Sequence, residues 1–297
     1  MTLHLNPAHI AAGDFGCLEP AQQDWLDQRD YWEDFNARFF RSNGRAYDSA
    51  RDSNVTAWLT APDRAPYAAM AERLLEDLSG RVDLAGIDLV LMAHWLPDLH
   101  LGTSVTNFVQ HRLAIENGLG FAISDRGPSA PLFALDLAAR YLRDGRRRAL
   151  VLAMDQKHLL YRTPELDRLR PRNSAAALLL EAGAAAEPAD SGLVYAGYAR
   201  SIGLAPADLS RYLSGLCAAQ GLAREAVTVI ADPAVTRLAA PEGPVIVCED
   251  GWLCAGPLAG LARHAGQRGH VLLATFEQGE VVTVLLRDPV LSAEARP

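Results

Sequence analysis

The chain has 297 residues, 49% hydrophobic and 22% charged, with a net charge of −8. That composition excludes a disordered chain, and an acidic balance without a dense basic run excludes a nucleic-acid footprint; Arg146-Arg147-Arg148 reads as a solvated helix end. Cys17, Cys217, Cys248 and Cys254 lack C-x-x-C spacing, which argues against a metal site or a disulfide framework.

The opening stretch, MTLHLNPAHIAAGDF, has neither the charged n-region nor the apolar h-region of a leader, and no apolar run reaches spanning length. The expectation is a reduced, soluble, cytoplasmic protein without a membrane partner. Residues 1–65 are the least regular. Within the aromatic-rich segment 22–58, Trp25, Tyr31/Trp32, Phe35 and Phe39 recur at helical spacing, a stripe that packs against the fold or a subunit. Residues 67–79 form an amphipathic helix ending near Gly80. IDLVLMAH (87–94) is a buried strand, 103–118 a helix, FAIS (121–124) a strand, 129–144 a helix, and RALVLAMD (148–155) and SAAALLLEAG (174–183) two further buried strands. This alternation predicts a parallel or mixed sheet covered by helices. After a Pro/Ala/Gly-rich link at 183–192 the pattern repeats in fewer residues. Strands are expected at 193–200, 226–232 and 243–250, helices at 207–221 and 256–266, and a hairpin at 270–288.

One stretch organises the rest. FAISDRGPSAPLFALDLAARYLRDG (121–145) reads as a strand, a sharp turn and a buried helix, with Ser129 as N-cap, Pro131 in the first turn and Gly145 at the C′ position. Such a turn is where an α/β enzyme presents a nucleophile, because helix N-terminal amides stabilise anions.

IDLVLMAHWLPDLHLGTSVTNFVQHRLAIENG resembles the first half of the β-ketoacyl-ACP synthase III branch of the thiolase-like superfamily, through Ile87, Asp88, Pro97, Asp98, Val109, Gln110 and Leu113. RALVLAMD, NSAAALLLEAG and GHVLLATFEQGEVVTVLL are similar to three later strands of that family, so the resemblance covers roughly residues 70–288. It implies a thiolase-like α/β fold of five layers, α-β-α-β-α, in two similar halves: 1–185, and a shortened 186–297. It also implies dimers across the strand at Phe121, Ala122, Ile123 and Ser124, chemistry resting on Cys, His and Asn, and no resident cofactor or metal.

This chain departs from the family at each of those catalytic positions. Counting along the pattern puts Gly127 or Pro128 where the Cys stands, Asp232 where the His stands and Trp252 where the Asn stands. Without a thiol there is no acyl-thioester intermediate, and Asp232 carries the wrong sign for an oxyanion. The resemblance then implies a non-catalytic subunit. Its partner is a catalytic, Cys-containing ketosynthase in a heterodimer, in polyketide- or fatty-acid-like secondary metabolism, with segment 22–58 covering the acyl entrance or the partner.

Two other readings stand beside it. A rebuilt acyltransferase or hydrolase would use Ser129 with His158 and Asp125 or Asp155 as a relay. A homodimeric protein would bind acyl carrier protein or acyl-CoA. His94, Asp98 and His100 read as a structural turn before a ligand set, His264 and His270 as surface residues, and Asp232 and Asp250 as partners for Arg126 or Arg172.

Overall fold

The computed structural model describes residues 2–183, 192–239 and 242–294. Its strands are β1 (Thr2–Asp14), β2 (Leu89–Ala93), β3 (Leu119–Ile123), β4 (Arg148–Asp155), β5 (Ser174–Gly183), β6 (Leu193–Ile202), β7 (Val227–Ala231), β8 (Val245–Val247), β9 (His270–Glu277) and β10 (Glu280–Arg287). Its helices are α1 (Arg29–Ser42), α2 (Ser49–Asp52), α3 (Val55–Thr60), α4 (Tyr67–Ser79), α5 (Val105–Arg112), α6 (Ala130–Arg143), α7 (Pro164–Leu169), α8 (Leu209–Ala219), α9 (Pro233–Leu238), α10 (Gly256–Ala262) and α11 (Pro289–Glu294). The expected boundary at 185/186 lies outside the described residues.

The ten strands run in the order β3-β2-β4-β5-β1-β6-β10-β9-β7-β8, which is a mirrored repeat. On one side β2 is parallel to β3 and β4, and β5 is antiparallel to β4 and β1. On the other, β7 is parallel to β8 and β9, and β10 is antiparallel to β9 and β6. The two sides join where β1 and β6 run antiparallel.

Strand periodicity sorts the side chains into layers, because successive residues point to opposite faces. Leu89 and Leu91 of β2 share a core with Leu132, Leu135 and Leu142 of α6, Leu258 and Leu261 of α10, and Val282 and Val284 of β10. The alternate residues Val90 and Met92 meet Met70, Leu74 and Leu78 of α4 and Val109 of α5. On the far side Val229, Leu272 and Val281 meet Leu209 and Leu213 of α8 and Val235 of α9. The result is five layers, α-β-α-β-α, with α6 and α10 between the two half-sheets. No described helix is long and apolar enough to cross a membrane.

β1 is a central strand, although its residues were expected to be irregular. Its pairing with β5 shifts register between Leu5 and Ile10, and Pro7 lies in that gap. A proline is tolerated at such a bulge, which also breaks the alternation that would mark a strand. The helix expected over 103–118 stops at Arg112. Ala114 takes φ +52°, its amide donates to the His111 carbonyl, and the Ile115 amide donates to the Gln110 carbonyl at 2.8 Å. This is a Schellman ending that uses alanine in place of glycine. The third strand of the second half is shorter than expected, Val245–Val247. His264 and His270 are buried, not on the surface, and the His270 ring accepts from the Asp288 amide at 3.2 Å.

Candidate functional site

Strand β3 leaves the sheet edge at Ile123 and turns through Asp125 and Arg126 into a short 3-10 turn, Gly127–Ser129, before α6 begins. Gly127 has φ +52°, a left-handed conformation that favours glycine, and a Cβ there would stand 3.6 Å from the Trp95 ring. From the other side the buried Cys254 thiol donates to the Gly127 carbonyl at 3.4 Å. Trp95 and Cys254 therefore back the turn that carries Gly127. Arg126 lays its guanidinium 4.4 Å from the centroid of the Phe133 ring, a cation–π contact between the turn and α6.

Ser129 is not the side-chain cap that was expected. Its backbone is already helical, at φ −85° and ψ −7°, whereas a capping residue is extended. The preceding 3-10 turn takes up that geometry, and the Ser129 hydroxyl donates back to the Arg126 carbonyl at 2.8 Å.

Asp155, at the end of β4, is fully buried. One carboxylate oxygen accepts from the amides of Trp95 at 2.9 Å and Leu96 at 2.7 Å, and the other from the Cys254 amide at 3.0 Å. Burial pushes this carboxyl up, against the pull of those donors. Burial, and then Asp155 nearby, push the Cys254 thiol well up, so it is not a thiolate. His158 binds Asp63, at 2.7 Å from its Nε2, and Lys157 pairs with the same carboxylate. Among the described residues no hydrogen bond joins Ser129 to His158, Asp125 or Asp155, so the relay is not assembled. Asp125 is exposed, Asp155 knits loops together, and His158 holds Asp63.

Asp232 caps α9. Its carboxylate accepts from the amides of Val235 and Phe276, both at 2.8 Å, and not from Arg126 or Arg172. Asp250 pairs with Arg170 at 2.9 Å, again in place of the expected partners. Trp252 is buried, its carbonyl accepts from the Ser174 hydroxyl at 3.1 Å, and Arg172 stands 6.0 Å from its ring centroid. His94, Asp98 and His100 turn to separate partners: the Leu96 carbonyl, the Tyr67 amide and Glu19. No group of three or more His, Cys, Asp or Glu among the described residues is placed to hold a metal ion.

A cleft of about 430 Å³ opens at this end of the sheet, lined by Trp95, Arg126, Gly127, Ser129, Thr275 and Glu277 among others. Phe276, between two of those residues, donates its amide to Asp232, which places Asp232 beside this cleft. Trp95, Cys254 and Asp63 were missed in the sequence. Each acts through a contact distant in the chain, and no local spacing marks it.

Burial raises the Asp232 carboxyl to about 6 from the ordinary 3.8. A folded-state value above the unfolded one means that proton binding favours the folded chain. That stabilisation is complete below about 3.8 and is lost as pH rises through about 6. At about 1.4 kcal/mol per unit, Asp232→Asn is expected to gain roughly 3 kcal/mol on the wild type between about pH 4 and about pH 7. Urea unfolding at the two pH values measures this; a constant difference contradicts it.

No family model matches the chain, and no curated protein does. Solved structures do. The tetronic acid condensing enzyme AbyA1 is 18% identical, covering 96% of this chain and 99% of its own, at a TM-score of 0.65. The 3-oxoacyl-[acyl-carrier-protein] synthase III of Aquifex aeolicus VF5 is 14% identical, covering 97% and 100%, at 0.63. The acyltransferase ChlB3 is 14% identical, covering 97% and 98%, at 0.56. At such identities what is shared is the fold, a thiolase-like one.

Proposed function

We propose that this chain is the non-catalytic, ketosynthase-III-like subunit of a heterodimeric acyl-condensing or acyl-transferring enzyme, in polyketide- or fatty-acid-like secondary metabolism. The observation that carries the reading is Gly127. At the strand-to-helix turn where such an enzyme needs a nucleophile, the chain has a left-handed glycine backed by Trp95 and Cys254. A glycine has no group to acylate. Asp232 adds negative charge above about pH 6 where an oxyanion would need the opposite. The buried Trp252 fills the third position with an indole.

The remaining surface favours a partner. β3 is an edge strand, Ala122 and Ser124 are exposed, and Phe121 is half-buried against Tyr141 at 6.0 Å between ring centroids. An unpaired edge of this kind invites a strand from a second subunit. We assign segment 22–58 to the rim of that assembly, where Tyr31, Phe35 and Phe39 are exposed.

The reading is tested by incubating the chain with a short-chain acyl thioester and recording intact mass, alone and with an intact ketosynthase encoded in the same genome. The expected result is an adduct on the partner's cysteine and none on this chain. An adduct on this chain that disappears in Ser129→Ala establishes the acyltransferase reading instead.

A further inference from the structure

The segment between β4 and β5 runs beside the site and is held by ion pairs. Arg168 of α7 bonds Glu277 at the end of β9, at 2.7 Å, and also Glu165 at 2.7 Å. Arg170 bonds Asp250 at 2.9 Å, and Arg172 bonds Glu249 at 3.3 Å and pairs with Asp14. Alternate arginines of one loop thus each take a carboxylate of the second half of the chain. They converge on the turn that carries Trp252 and on the end of β9.

The backbone fits this contact closely. Arg170 adopts φ +44°, and the Arg172 amide donates to the Gly251 carbonyl at 2.9 Å. Gly251 has φ +77°, and a Cβ there would lie 2.4 Å from the Arg170 carbonyl oxygen, so no other residue is accommodated. The same segment also forms a wall. Glu165 and Trp95 line both the 430 Å³ cleft at Gly127 and a second cleft of about 480 Å³ bounded by Phe39, Tyr161 and Leu166.

We propose that residues 163–172 form a strap, clasped by Arg168, Arg170 and Arg172, whose release opens the wall between the two clefts. Solvent-exposed ion pairs of this kind are individually weak and are screened by salt. α7 buries no side chain, so the ionic clasp and the Arg172–Gly251 backbone bond are what hold the strap down. The strap needs no second subunit and stands apart from the partner reading.

Hydrogen exchange of the full chain, read by mass spectrometry, tests it. Raising NaCl from about 0.1 M to about 1 M cuts the screening length from roughly 10 Å to roughly 3 Å. Exchange in peptides spanning 164–172 is expected to rise on the order of tenfold while β4 stays unchanged. The double variant Glu277→Arg, Asp250→Arg is expected to exchange fast already at low salt. Adding Arg168→Glu and Arg170→Glu to it, which restores opposite charges, is expected to slow exchange again. Exchange that ignores both salt and the charge reversals overturns the strap.

Discussion

Replacing Asp155 with alanine is expected to lower the unfolding free energy by roughly 3–5 kcal/mol. The carboxylate is fully buried and receives the amides of Trp95, Leu96 and Cys254. Alanine leaves all of them without an acceptor where no water reaches, at about 1–3 kcal/mol each, and the relief of an unfavourable buried charge offsets part of that. Those amides belong to the loop after β2 and to the turn before α10, so the change also loosens the backing of Gly127. Asp155→Asn keeps one oxygen for Trp95 and Leu96 but sets an NH₂ group against the Cys254 amide. Its expected cost is about 1–2 kcal/mol. Urea unfolding of both variants at neutral pH measures the order; equal costs, or a silent alanine, contradict this account of the site.

The second large effect is expected at the sheet edge. Ala122 is exposed on β3, so Ala122→Arg is expected to change the stability of the isolated chain by about 0.5 kcal/mol or less. In a dimer joined through β3 the same arginine is buried without a partner. Pairing with a catalytic ketosynthase is then expected to weaken at least about 100-fold, since an unpaired interfacial charge costs several kcal/mol. Sedimentation velocity of the mixed subunits gives the result. Unchanged pairing in Ala122→Arg places the partner elsewhere on the molecule.

What was legible in the sequence was what a local pattern carries. The apolar runs of β2, β4 and β5 and the hairpin of β9 and β10 stand out because a doubly covered strand reads as a nearly continuous apolar run. The turn before α6 was legible for a different local reason, the Gly127-Pro128 pair that breaks the run between β3 and α6. β1 was not, because its bulge at Pro7 breaks the alternation. The site was harder to read. Asp155 meets Cys254 across 99 residues, and His158 meets Asp63 across 95, so neither partner follows from spacing. Ser129 had the right type and position for a cap, and the 3-10 turn before it removed the need for one. Asp232 and Asp250 had plausible basic partners by position. The fold gave Asp232 to backbone amides and Asp250 to Arg170.

On the reading proposed above, this chain contributes shape and support and no nucleophile. The most direct test of that reading is the condensation rate of the partner ketosynthase measured alone, with this chain, and with its Ser129→Ala and Cys254→Ala variants. Activity is expected to require the chain and to be unchanged when Ser129 is replaced, or when Cys254 is replaced in a variant that still folds. Condensation or acyl transfer by this chain alone, abolished by either replacement in a folded protein, would contradict that reading.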